Sequence, residues 1–288
     1  MPYIQIRGVD HYYDWIGTSP QVPSGKPVLI FLHGWAGSTR YWANTAQALA
    51  DQFDCLLYDL RGFGRSCLPR PLVPEVMDLG YELDSYADDL AILLDQLGIQ
   101  RVCLNAHSTG TSIAVLFLNR YADRVDRAVL TCGGVFDYDE KAFKAFHQFS
   151  GYVVGFRPAW LSRIPGVDRM FMARFLRRPI PKTARQAFLE DFLIADYEAA
   201  LGTAYAAVSQ RAAEEMPIEF AHLTVPTLLI SGEYDQIIPV ELGRKAAALN
   251  DRIEHVIMSD TGHFPMLEDA DTYLQIVKSF LQVRQVVS

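Results

Sequence analysis

Hydrophobic positions along this chain keep two alternating rhythms. Nearly continuous apolar runs at residues 27–32 (PVLIFL), 53–58, 102–105, 128–131, 227–231 and 254–258 read as strands covered on both faces. Between them lie helical patterns. In residues 83–97, Tyr86, Leu90, Leu93 and Leu97 recur at spacings of four, three and four, which is one face of a helix ending at Gly98. Residues 110–121, 240–249 and 271–283 are similar, and residues 3–6 and 12–16 are expected to pair as an opening hairpin across Gly8–Asp10. Strand, helix, strand in repetition predicts an α/β fold: a mostly parallel, doubly wound sheet of about eight strands with right-handed crossovers.

The alternation stops between residues 136 and 215, where the pattern is helical and no strand is convincing. This stretch holds 14 of the chain's 34 Phe, Tyr and Trp, and PAW (158–160), IPG (164–166) and PIP (179–181) cut it into short helices. A core of residues 1–135 and 216–288 with an inserted cap of residues 136–215 is expected.

Charge narrows the partners. With 26 Lys+Arg against 34 Asp+Glu the net charge is −8, which argues against nucleic acid, because neutralising phosphates needs a clustered basic excess. The charge is uneven. Residues 136–215 carry 11 basic and 10 acidic residues, leaving 15 − 24 = −9 on the rest. Residues 157–185 hold eight Lys or Arg against Asp168 alone, interleaved with aromatics such as Trp160 and Phe171. That reads either as a solvated face over an apolar pocket or as a lid lip that makes weak contact with an interface or an anionic substrate. No basic-then-apolar leader opens the chain and no run of about 18 apolar residues occurs, so a soluble, unprocessed, cytoplasmic protein is expected. The four cysteines lack CxxC spacing, and Cys55, Cys103 and Cys132 fall in apolar runs as reduced core thiols.

In a parallel sheet the ligand crevice lies beyond the carboxyl ends of the strands. Four such ends are informative. After residues 102–105 comes Ala106-His107-Ser108-Thr109-Gly110 and then a helix, the setting of a strained nucleophile turn that needs small residues two before and two after the serine. A bare helix N-cap is the plainer reading of Ser108. After residues 27–32 comes His33-Gly34-Trp35-Ala36-Gly37, whose Trp35 N–H could join the Thr109 N–H in stabilising an alkoxide. Asp235 follows the 227–231 run and His263 the 254–258 run, so the order is Ser, Asp, His. Glu233, Asp260 and Asp137 stand as alternative acids, and a solvated loop residue is the plainer reading of His263. His107 and His33 read as packing and loop-organising residues. No HExxH or Cys/His ligand cluster is present, so neither metal nor cofactor is expected.

These motifs make the sequence similar to the α/β-hydrolase superfamily of the type with a helical cap, over nearly the whole chain. Asp59-Leu60-Arg61-Gly62-Phe63-Gly64-Arg65-Ser66 resembles the family's DxRGxGxS turn and Gly262-His263-Phe264-Pro265 its GHxP; Ala106 departs from the usual first glycine of the elbow. The resemblance implies that Asp59 and Arg61 fix the turn near the elbow, and that the cap enters between the sixth and seventh strands. It also implies a serine esterase acting on small to medium, largely apolar esters, with Ser108 as nucleophile, His263 as base and Asp235 orienting it. The same triad serves carbon–carbon bond hydrolysis, lactone opening and peracid formation. A hydrolase-like ligand receptor is the alternative from another class. Dehalogenases and epoxide hydrolases of this fold use an aspartate where Ser108 stands.

Overall fold

In the computed structural model, which describes residues 2–17 and 24–281, one strand after another falls where the apolar runs lie. Tyr3–Ile6 (β1), Val9–Ile16 (β2), Val28–Leu32 (β3), Asp54–Tyr58 (β4), Val102–His107 (β5), Val125–Thr131 (β6), Thr227–Gly232 (β7) and Ile253–Met258 (β8) form one sheet ordered β1-β2-β4-β3-β5-β6-β7-β8. From β3 to β8 all pairings are parallel, while β1 and β2 run antiparallel at one edge. The opening hairpin turns earlier than Gly8–Asp10. Ile6 pairs with Val9, so Arg7 and Gly8 alone make the turn, both at positive φ (46° and 82°), and β2 begins at Val9. A two-residue turn of this hand matches the twist of its strands.

Alternation along each buried strand divides the interior into two cores. Ile30, Leu32, Leu56, Leu104, Ala128 and Leu130 face one side, with the helices Leu83–Gln96 and Thr109–Arg120. Leu29, Phe31, Leu57, Cys103, Val129 and Ile230 face the other, with the helices Ala43–Leu49 and Ala270–Leu281. Residues 282 and 283 of the expected last helix lie outside the described residues. Both sheet faces are therefore covered, which is why these strands read as continuous apolar runs.

Five helices follow β6 before β7: Glu140–Gly155, Val167–Met172, Lys182–Ile194, Tyr197–Ala207 and Gln210–Ala221. The last is capped by Ser209 Oγ and carries Pro217 in its interior; it runs through residue 215, with Met216 and Phe220 buried in the first core. The expected boundary at 215 thus falls inside this helix, which continues past Pro217 with Met216 and Phe220 buried. Leu189 and Phe192 of the helix Lys182–Ile194 close on Ala36 beside the loop after β3, forming a third small core. Among the described residues no helix is long and apolar enough to cross a membrane.

Candidate active site

Strand β5 continues through His107, paired with Thr131, and the chain then reverses abruptly: Ser108 takes φ 54° and ψ −125°, and the helix Thr109–Arg120 starts at the next residue. Such a conformation costs a non-glycine residue about 1–3 kcal/mol and holds its side chain clear of both flanking elements. Crowding explains the small neighbours. A Cβ on Gly110 would lie 2.6 Å from the His33 carbonyl oxygen, and Ala106 is fully buried opposite Leu32 and Leu130.

Three strand ends converge on Ser108. His263 Nε2 lies 3.0 Å from Ser108 Oγ, and His263 Nδ1 lies 2.7 Å from Asp235 Oδ2. The other Asp235 oxygen accepts the N–H groups of Ile237 (2.8 Å) and Ile238 (3.0 Å), so the carboxylate is fixed in its loop. His263 and Asp235 are buried, while Ser108 is half-buried and so remains open to a reactant. The loops carrying the acid and the histidine touch directly. A Cβ on Gly232 would sit 1.9 Å from the Gly262 carbonyl oxygen, a contact only glycine allows. The alternative acids are engaged elsewhere: Asp260 pairs with Arg177 and Arg178, Glu233 accepts the Asp260 N–H, and Asp137 pairs with Lys245.

The two amides expected to meet an alkoxide have no acceptor among the described residues. Trp35 instead anchors by its indole N–H to the Ala200 carbonyl at 2.7 Å. His33 organises the loop as expected: Nδ1–H donates to the Gly34 carbonyl (2.8 Å) and Nε2 accepts the Leu60 N–H (2.9 Å). His107 does more than pack. Its Nε2–H donates to the His263 carbonyl (2.7 Å), and its Nδ1 accepts the Tyr41 hydroxyl (3.1 Å), which itself accepts the Gly34 N–H (2.6 Å). One hydrogen-bonded line therefore runs from the loop after β3 to the backbone of His263. Burial, and then the neighbouring His263, pushes the His107 imidazole well below its ordinary value, which keeps it neutral. Cys132, at φ 55° just beyond β6, lies beside Asp235; burial and then that carboxylate raise its thiol well above the usual range.

Glu268 is the residue that sequence reasoning missed. Its Oε1 accepts the N–H groups of Gly262 (3.0 Å) and Phe264 (3.1 Å), and its Oε2 those of Arg177 (2.7 Å) and Arg178 (2.8 Å). His263 N–H also donates to the Phe175 carbonyl at 2.7 Å. The histidine loop is thus sewn to residues 175–178 of the helical segment between β6 and β7. A glutamate in the first turn of the short helix Pro265–Glu268, reaching back to amides before it, follows capping-box logic and was the available signal. Glu268→Ala would strand four amides, so a loss of about 3–5 kcal/mol in urea unfolding is expected, with reduced turnover. An unchanged midpoint would contradict this role.

Asp59 fixes its turn as expected, accepting the Thr39 N–H (2.7 Å) and the Arg65 N–H (2.9 Å). Arg61 holds the same turn from the other side. Its fully buried guanidinium bonds Asp89, the Gly80 carbonyl and Ser85, tying the turn to the helix Leu83–Gln96. Among the eight basic residues of 157–185, Arg157, Arg177, Arg178 and Arg185 bond carbonyls or carboxylates, while Arg163, Arg169, Arg174 and Lys182 are exposed and have no partner among the described residues.

A parallel sheet with a strained serine turn, and an acid and a histidine on the last two strand ends, defines a hydrolase of known class. Residues 27–270 match the family model described as the alpha/beta hydrolase fold, and the chain belongs to that family. It is 30% identical over 276 residues to the bifunctional esterase/perhydrolase of Acinetobacter calcoaceticus, covering 86% of this chain and 88% of that one. To an AB hydrolase superfamily protein of Bacillus subtilis it is 27% identical over 270 residues, 89% and 91% of the two chains. A solved hydrolase from Pseudomonas aeruginosa superposes with a TM-score of 0.79 at 20% identity, over 98% of both chains.

Proposed function

We propose that this protein is a serine hydrolase of carboxylic esters, acting on small to medium, largely apolar substrates through an acyl-enzyme on Ser108. The observation that carries the reading is the unbroken chain Ser108 Oγ, His263 and Asp235, at 3.0 and 2.7 Å. His263 Nε2 takes the Ser108 proton as Oγ attacks the ester carbonyl, then delivers it to the leaving alkoxide. Asp235 holds Nδ1–H and stabilises the imidazolium. The Trp35 and Thr109 amides, free of other acceptors, stabilise the oxyanion, each such donor being worth about 3 kcal/mol. Water, activated by His263 in turn, releases the acid.

The preference for apolar esters rests on the residues beside the loop after β3. Phe171, Phe175, Phe188 and Phe192 pair with ring centroids 4.8 to 6.1 Å apart, which supports a reading of residues 136–215 as a cap that roofs the core. A series of p-nitrophenyl esters tests the reading: acetate and butyrate should be hydrolysed. Inert esters with cleavage of a vinylogous diketone would shift the assignment to a carbon–carbon hydrolase, and turnover below about one per minute to a receptor, since enzymes typically reach ~10 per second. A second reading, peracid formation with hydrogen peroxide replacing water as acyl acceptor, is favoured by the Acinetobacter calcoaceticus relative. It predicts peracetic acid from acetate esters and peroxide.

A further inference from the structure

We infer that the outer face of the inserted helical segment, along residues 149–170, is a docking surface for an anionic phospholipid bilayer. Large apolar side chains stand in water there to an unusual degree. Phe149, Tyr152 and Phe156 are 60%, 77% and 69% exposed, followed along the chain by Trp160 (52%), Ile164 (42%) and Met170 (73%). This is not a misfolded core face. Phe149 and Tyr152 stand three residues apart on one side of the helix Glu140–Gly155, and Phe156 is the residue that ends it, while Val154 on the same helix is buried.

Charge selects the occupant. Residues 141–167 contain Lys141, Lys144, Arg157 and Arg163 and no Asp or Glu, in a chain whose net charge is −8. Among the described residues Arg163 and Arg169 are exposed and form no ion pair, while at the edges of the segment Asp137 pairs with Lys245, Glu140 with Lys144 and Asp168 with Arg185, and Asp139 caps its helix at the Ala142 N–H. Aromatic side chains with Trp and Tyr among them, interspersed with arginines, suit the headgroup layer, where rings sit at the acyl boundary and cations meet lipid phosphates. A second copy applied by the same face would bring its cations against themselves, and a polyanion in water would leave the aromatics uncovered. This surface is separate from Ser108, His263 and Asp235, and the inference stands whether or not the ester reading does.

Co-sedimentation with vesicles tests it. The purified protein should bind vesicles of mixed phosphatidylcholine and phosphatidylglycerol at low salt, bind phosphatidylcholine alone weakly, and be released as salt rises. The triple substitution Phe149→Ser, Tyr152→Ser, Trp160→Ser and, separately, the pair Arg163→Glu, Arg169→Glu should each weaken binding by on the order of tenfold or more. Far-ultraviolet circular dichroism and hydrolysis of a soluble ester should be unchanged in both, which separates this surface from the triad. No binding to anionic vesicles, equal binding by the variants, or a concentration-dependent dimer that the variants dissolve would overturn the proposal, the last by assigning the face to a second copy.

Discussion

Ser108→Ala is expected to lower kcat for ester hydrolysis by roughly ten-thousandfold or more while leaving the thermal midpoint close to that of the parent protein. The reason is geometric. Ser108 Oγ is the atom His263 Nε2 faces at 3.0 Å, and no other hydroxyl bonds that nitrogen among the described residues. His263→Ala should cost about as much, and the double variant no more than either single one, because nucleophile and base act as a unit. Asp235→Asn keeps the packing but offers an amide where the Nδ1–H needs an acceptor, so it should also fall by several orders of magnitude. Steady-state rates beside circular dichroism decide the matter. A Ser108→Ala variant within tenfold of the parent would remove the basis of the proposed mechanism, whereas a collapsed midpoint would show a fold defect.

Stability should fall steeply on acidification, and well before the ordinary carboxylate range is reached. Three buried imidazoles are held neutral. Burial pushes His11 down from 6.5 to about 4, and lowers His33 and His107 likewise, with Asp59 partly opposing the effect at His33. In the unfolded chain all three take up protons below their ordinary value, so the unfolded state binds more protons than the folded one. Stability is therefore complete above about pH 6.5 and is lost as pH falls toward 4. At roughly 1.4 kcal/mol per pH unit, His11 alone accounts for about 3 kcal/mol.

Asp191 works in the opposite direction. Burial raises its carboxyl to about 6 against the pull of Ser38 and Arg40, so its contribution is greatest at low pH and offsets part of the loss. Urea titrations from pH 8 to 5 should show the decline. Replacing His11 by Gln, which cannot take a proton in this range, should flatten it; an unchanged slope in that variant would contradict the assignment. Among the described residues His11 Nε2 has no hydrogen-bond partner, so a proton taken up there gains no bond to offset its burial.

Much of the sheet was legible because each central strand is buried on both faces, so PVLIFL and its counterparts stand out from their surroundings. Ends were less legible. Residues 102–105 stop where the apolar run stops, yet β5 continues through Asn105 to His107 because pairing with Thr131, not side-chain polarity, decides where the ladder ends. Val9 joins its strand because the turn needs only Arg7 and Gly8. The helix Gln210–Ala221 runs on past the expected boundary at 215 and past Pro217, because Met216 and Phe220 bury into the core on either side.

The triad positions were legible for a topological reason: each follows an apolar run, and strand ends of a parallel sheet meet at one edge. Their supports were not. Glu268 gathers amides from residues 177 and 178, some 90 positions away, and Tyr41 reaches His107 across 66. Nothing in local composition encodes such pairings. Asp191, in the helical segment between β6 and β7, accepts the Ser38 hydroxyl at 2.6 Å and so ties that segment to the loop after β3 in the same way. These bonds join the helices between β6 and β7 to the loops that carry His263 and Trp35, so substitutions in them should disturb catalysis without touching a reacting atom.

Peptide mapping after treatment with a fluorophosphonate reads the nucleophile directly. The parent protein should carry a single phosphonyl adduct on Ser108, formed far more slowly in His263→Ala and absent in Ser108→Ala. An adduct on another residue of the folded protein, or none while esters are still being hydrolysed, would contradict Ser108 as the nucleophile.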